Sequence, residues 1–216
     1  MLKRRNMDLR KVLEKLYNEK KFICPFTDDE CYEFLETEQG QIQVDAALAV
    51  FGRKLTRVNE SGAFYLTSTD PEHARDKALL KKEFLKVRDE IEPVVEFLVF
   101  ISKVKSDAGV LISGDIIRYA EILSLVTDNE LHLKHLNQLM QLSAFKTVKK
   151  ATSDKLTALF DGLERLSILI VKNRSEMLYQ ITGKVDYIHN IMEFIAEYET
   201  ISVDEDDVSQ GVLTHE

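Results

Sequence analysis

Two clusters of basic side chains are the candidates for contact chemistry in this sequence. Arg53, Lys54 and Arg57 form the first; Lys146, Lys149, Lys150 and Lys155 form a denser second, with Arg165, Lys172 and Arg174 beyond it. Guanidinium and ammonium groups suit phosphate oxygens, which position a protein on nucleic acid without reading its sequence. The competing reading is that charged residues beside a turn face water. His132 and His135 stand three apart, a helical spacing that can bring two imidazoles to one metal ion. A third ligand is needed, and Asp128 lies a turn away only if the helix has already begun. Solvent-facing histidines between core leucines are therefore expected, with no metal. Cys24 and Cys31 have no CxxC company and read as buried, small apolar residues.

Catalytic signatures are missing from the sequence. It contains no GxSxG, HExxH, GxGxxG or GxxxxGK[ST]. Its many acids sit among lysines, as on solvated helix faces. No catalytic residue and no cofactor is expected, and the chain does not read as an enzyme. The enzymatic rival, a hydrolase-type site of scattered acids and histidines, would show metal-dependent turnover.

The elements that must carry these residues follow from apolar spacing. Leu9, Val12, Leu13 and Leu16 mark a first amphipathic helix. Thr27 with Glu30 reads as a capping box for a short helix through Tyr32, Phe34 and Leu35, closed by Gly40. A helix over 41–51 follows, then strands 54–58 and 63–67 around the turn 59–62, with Val58 and Phe64 as cross-strand neighbours. Asp70 and Pro71 start a long charged helix bearing Leu79, Leu80, Phe84, Leu85 and Val87, which Pro93 should kink or restart. The apolar run 94–104 should be buried between the two halves. Ile116, Ile117, Tyr119, Ile122 and Leu123 mark a helix beginning near Ser113-Gly114-Asp115. Thr127 repeats the capping signature before Leu131, Leu133, Leu136, Leu139, Met140 and Leu142. Thr152-Ser153-Asp154 caps a helix over 153–166, followed by strands 167–172 and 176–181. A last helix from Lys184 carries Val185, Ile188, Ile191, Met192, Ile195 and Ala196 on one face.

A helical stretch followed by a hairpin thus occurs twice. Aligning Asn59 with Asn173 places Tyr65 on Tyr179 and Phe64 on Leu178. Helices followed by a hairpin are the winged form of the helix-turn-helix. The fold class expected is mainly α with α+β wings. The divisions are an N-terminal winged-helix domain over 1–69, a helical connector over 70–107, a C-terminal winged-helix domain over 108–200 and an acidic, disordered tail over 201–216.

Charge and composition narrow the partners. The 216 residues are 44% apolar and 31% charged, with only 8 Gly and 3 Pro, which favours helix over long loops. Net charge is −8, but the segment after Val203 holds Asp204, Glu205, Asp206, Asp207 and Glu216 and no Lys or Arg, leaving −3 for the remainder. Such a balance favours a protein partner over autonomous DNA binding. Ala46–Val50 leave the helix before the first hairpin almost without base-reading side chains. The run 91–104 is too short and too charged to span a bilayer, no signal peptide is evident, and the two cysteines make no disulfide framework. A reduced, soluble, cytoplasmic protein is expected. The apolar run 91–104 and the last helix read equally as packing between modules or as a partner interface.

Two stretches carry a family resemblance. Tyr32-Glu-Phe-Leu35 with Phe51 through Leu66, and Leu163-Glu-Arg-Leu-Ser-Ile-Leu169 through Tyr179, resemble the tandem winged-helix subunits that bind the kleisin in chromosome-organising SMC complexes, most nearly the MukE/MksE type of bacterial condensin. The likeness runs over roughly residues 5–200 and is one of pattern. It implies a nucleoid-associated homodimer that grips a kleisin and helps a loop-extruding ATPase hold DNA, in chromosome maintenance or plasmid defence. The ATP-binding motif would belong to another subunit. A winged-helix transcription regulator is the alternative.

Overall fold

The computed structural model describes residues 9–19, 22–58, 62–69, 74–105 and 110–194; within 74–87 it describes only the side chains of Lys81 and Leu85. The expected Asp70–Pro71 start, the turn residues 59–61, Leu79, Leu80, Phe84, Val87, Ile195, Ala196 and the acidic tail lie outside the described residues. The fold is mainly helical with two small antiparallel sheets.

Helix α1 spans residues 9–13 and continues as the π-type turn Glu14–Asn18, burying Val12 and Leu16. The chain then touches down at Ile23, which exchanges both backbone hydrogen bonds with Phe64, at 2.9 and 2.8 Å. Helices α2 (Asp29–Glu36) and α3 (Glu38–Ala49) follow. The cap of α2 is Asp28, one residue later than expected, because Thr27 is used elsewhere. Its hydroxyl accepts from the Cys24 N–H at 2.9 Å and ties off the turn after Ile23. Gly40 does not close α2. It lies in the first turn of α3, where the Thr37 hydroxyl accepts from its N–H, and a Cβ there would collide with the Phe34 carbonyl.

Strands β1 (Arg53–Arg57) and β2 (Phe64–Ser68) form the first hairpin, with Arg57 opposite Phe64. Val58 instead donates its N–H to the Ala63 carbonyl at 2.8 Å, so the expected Val58–Phe64 pairing is one residue out.

Helix α4 (Ala74–Val104) runs unbroken through Pro93, contrary to the expected kink or restart. A mid-helix proline costs roughly 3 kcal/mol. Against that, Val94, Phe97, Phe100, Ile101 and Val104 are all buried. Each such side chain stabilises by about 1.5–3 kcal/mol.

The C-terminal half contains one strand that the apolar spacing hides. Ile116–Arg118, expected to be helical, is β3, and α5 (Tyr119–Thr127) begins only after it. Then come α6 (Glu130–Leu139), α7 (Thr152–Arg165), β4 (Leu169–Asn173), β5 (Leu178–Ile181) and α8 over residues 184–194. The sheet order is β3-β5-β4, antiparallel, with Ile117 opposite Tyr179 and Tyr179 opposite Val171. Asn129 caps α6 in place of Thr127, its side chain accepting from the Leu131 and His132 N–H groups. Thr152 and Asp154 lie inside α7, whose first turn has no side-chain cap.

Both halves therefore share an order: helix, a short extended segment, helices, hairpin. In each, the short segment pairs with the second strand of its hairpin, Ile23 with β2 and β3 with β5. The facing residues differ from the alignment on Asn59 and Asn173. Phe64 is buried in its own core while Tyr65 turns to the other half; in the second hairpin it is Tyr179, 7% exposed, that enters the core against Phe160. A slip of one residue swaps the two faces of a strand.

The first core gathers Val12, Leu16, Ile23, Cys31, Leu35, Val44, Leu48 and Phe64. The second contains the buried face of α4 together with Ile117, Ile122, Leu136, Leu159, Phe160, Val185 and Ile188. The buried face of α4 and Val185 and Ile188 of α8 are internal packing, while Val99 of α4 and Phe194 of α8 remain exposed. Between the halves, Phe22, Tyr65 and Tyr187 stack with centroids 4.9–5.2 Å apart. Gly114, at φ +94°, brings its loop against the Phe26 ring, where a Cβ would come within 2.7 Å.

Candidate functional site

Arg57, the best-placed base of the first cluster, is already engaged. It reaches Glu36 at 2.6 Å and the Tyr32 hydroxyl at 3.3 Å, and lies over the Phe64 ring at 5.2 Å. Arg53 is half-buried and also has a partner, and Lys54 is exposed on the same strand. Asp45 of α3 holds this strand by accepting the Leu55 N–H at 2.7 Å.

The second cluster divides similarly. Lys149 pairs with Asp154 at 3.2 Å, and Lys155 donates to the Asn137 side chain at 2.7 Å. Lys146 and Lys150 remain exposed in the loop before α7. That helix, which leads into the second hairpin, shows solvent Asp161 and Arg165, with Asp154 and Glu164 half-buried. Arg165 turns back to the Ala144 carbonyl at 3.0 Å. Burial, with Asp161 nearby, pushes the Glu164 carboxyl above its usual range. This surface carries both signs and is not the cationic face that phosphate favours. The structure therefore sets the seven candidate bases on β1, the loop before α7 and α7 itself, three of them committed to an acid or an amide.

The helix before the first hairpin shows something the search for charge overlooked. Ile42 is 61% exposed, Val50 81% and Phe51 59%, with Ala46 and Ala49 also exposed between them. Tyr17 of α1 joins them, its ring 4.8 Å from that of Phe51. Ile42, Ala46 and Ala49 follow one helix face, opposite the buried Val44 and Leu48. The signal was legible in the sequence: the helix is apolar on two faces, and a helix needs only one to pack.

His132 and His135 do not converge on a metal. His132 donates through Nδ1 to the Leu125 carbonyl at 3.0 Å, and His135 faces Glu96 at 3.8 Å and meets Phe100 edge-on. Burial, then the nearby Lys103, pushes the His135 imidazole below its ordinary value. Among the described residues no three His, Cys, Asp or Glu side chains could share a metal ion. Cys24 and Cys31 are free and buried. No described helix is long and apolar enough to cross a membrane.

No protein-family model matches this chain, and no curated protein matches it either. The geometry offers three surfaces: a largely apolar face on α3 with exposed Glu38 and Asp45 at its edge, a face of mixed charge on α7, and two largely committed basic clusters.

Proposed function

We propose that this chain is a tandem winged-helix subunit of a bacterial SMC–kleisin complex of the MukE/MksE kind. It binds the kleisin and assists DNA entrapment by the ATPase, in chromosome organisation or plasmid defence, without catalysis of its own. Two features support the winged-helix reading: the helix–strand–helix–hairpin order recurs in both halves, and in each the short strand lies against the second strand of the hairpin.

The observation that carries the assembly role is the character of the two helices that precede the hairpins. A DNA reader presents polar and cationic side chains there. Here α3 presents Ile42, Ala46, Ala49 and Val50, and α7 presents mixed charge, Asp161 beside Arg165 with Asp154 and Glu164 half-buried. The same observation disfavours the transcription-regulator alternative. DNA contact in this reading is weak and non-specific, through Lys54, Lys146 and Lys150, with the paired Arg53, Arg57, Lys149 and Lys155 contributing only if their partners are displaced.

The α3 face suits a second copy of the chain. A largely apolar surface can meet itself across a two-fold axis when the exposed Glu38 and Asp45 at its edge are kept apart. Isolated scattered apolar residues need no partner, but a contiguous group does. The test is co-expression with the tagged kleisin and ATPase encoded by the same genome. The chain should co-purify with the kleisin in fixed ratio at moderate salt. Failure to co-purify, together with tight sequence-specific DNA binding, would replace this reading with the regulator.

A further inference from the structure

Away from the α3 face, the C-terminal half of α4 and helix α6 enclose an open cleft of about 420 Å³. Its lining is Lys103, Leu131, His132, Lys134, His135 and Gln138, four basic or imidazole groups and no carboxylate. In a chain of net charge −8, a cleft lined in this way stands apart from its surroundings. Glu96 meets His135 at its border and exposed Glu130 stands one turn before Lys134 on α6, but neither Lys103 nor Lys134 is paired among the described residues. Leu131 stands at its rim 74% exposed, an apolar contact without a partner. Burial lowers the His135 pKa most, Lys103 next, with Glu96 acting in the opposite direction.

We infer that this cleft docks the chain's own acidic segment, residues 203–208. That segment reads Val-Asp-Glu-Asp-Asp-Val, four carboxylates between two valines, which complements cations flanked by an exposed leucine. Reach permits the contact. Helix α8 is described to residue 194, and its Val185 and Ile188 share one core with α4 and α6. The ten residues from 194 to 204 span at most about 36 Å. Attachment to the same chain makes the contact intramolecular, which populates interactions that are individually weak.

Occupancy has a spectroscopic signature, because carboxylates laid in the cleft favour the charged imidazole and raise the pKa of His135. The comparison uses the full chain and the full chain with Asp204→Asn, Glu205→Gln, Asp206→Asn and Asp207→Asn. The His135 ring proton is followed by NMR through a pH titration and assigned with His135→Gln. The native chain should titrate at higher pH than the neutralised one. A labelled peptide of residues 200–211 should bind the neutralised chain, and about tenfold more weakly once Lys103→Glu and Lys134→Glu are added, as reversal of two exposed charges implies. Identical His135 titrations, or peptide binding indifferent to the two lysines, would overturn the proposal. A titration difference that vanishes on dilution would assign the segment to a second copy and overturn docking within one chain.

Discussion

Asp28 shows how much a single side chain organises in the N-terminal half. Its carboxylate accepts the Cys31 N–H at 2.9 Å and pairs with Lys11 at 3.1 Å and Lys15 at 3.2 Å, fastening α1 to α2. Burial works against its charge, but that N–H and the two lysines more than offset it and hold the carboxyl down at about 2. A depressed carboxyl stabilises the fold above its unfolded pKa, near 3.9, and the contribution fades as pH falls towards the folded value. Asp28→Ala should therefore cost about 1–2 kcal/mol in denaturant unfolding at neutral pH. The gap between native and variant chains should narrow below about pH 4; an unchanged gap down to acid would show that the charge is not responsible. The same carboxylate acts on Cys31: burial first, then Asp28, pushes its thiol up to about 12. Cys31 should resist alkylation at neutral pH until the chain is unfolded, since the thiolate is the nucleophile. Rapid labelling of the native protein at Cys31 would contradict this. At this scale the sequence was nearly legible. The capping signal was seen, but Thr27 and Asp28 both qualify, and only the turn at Ile23 decides which one caps.

Elements were legible where apolar period and length agreed. The helices of both halves and both hairpins lie close to their expected places. The missed pieces are short. Ile116–Arg118 reads as helix because Ile116, Ile117 and Tyr119 continue the spacing of α5, and three residues are too few to show alternation. Ile23 is a single paired residue whose partner is 41 positions away. Pro93 misled because local propensity was weighed without the tertiary burial that overrides it. The contact between halves, carried by Tyr65 and Tyr187, was equally out of sight. A double-mutant cycle with Tyr65→Ala and Tyr187→Ala should give a coupling of about 0.5–1.5 kcal/mol in unfolding free energy. Strict additivity would mean that the aromatic stack does not join the halves.

For the molecule as a whole, charge and apolar exposure point to different surfaces. Net charge argued against autonomous DNA binding, yet the candidate bases were chosen by type alone. Pairing of Arg57 with Glu36 and of Lys149 with Asp154 depends on residues 21 and 5 positions away, and the first separation is invisible to local pattern. Most of the described apolar residues on α4 and α8, expected as packing or interface, enter the second core, with Val99 and Phe194 left exposed. The contiguous apolar surface on α3, displayed in the sequence as Ala46–Val50, is the one this account assigns to assembly. If that face joins two copies, Ile42→Glu with Phe51→Glu should separate them without unfolding either half, because both side chains are exposed. The most direct measurement is the molar mass of the purified full chain by light scattering across a dilution series, native beside the double variant. The account predicts a native dimer and a folded monomeric variant. A native chain that is monomeric at every concentration, or a variant that stays dimeric, would contradict it.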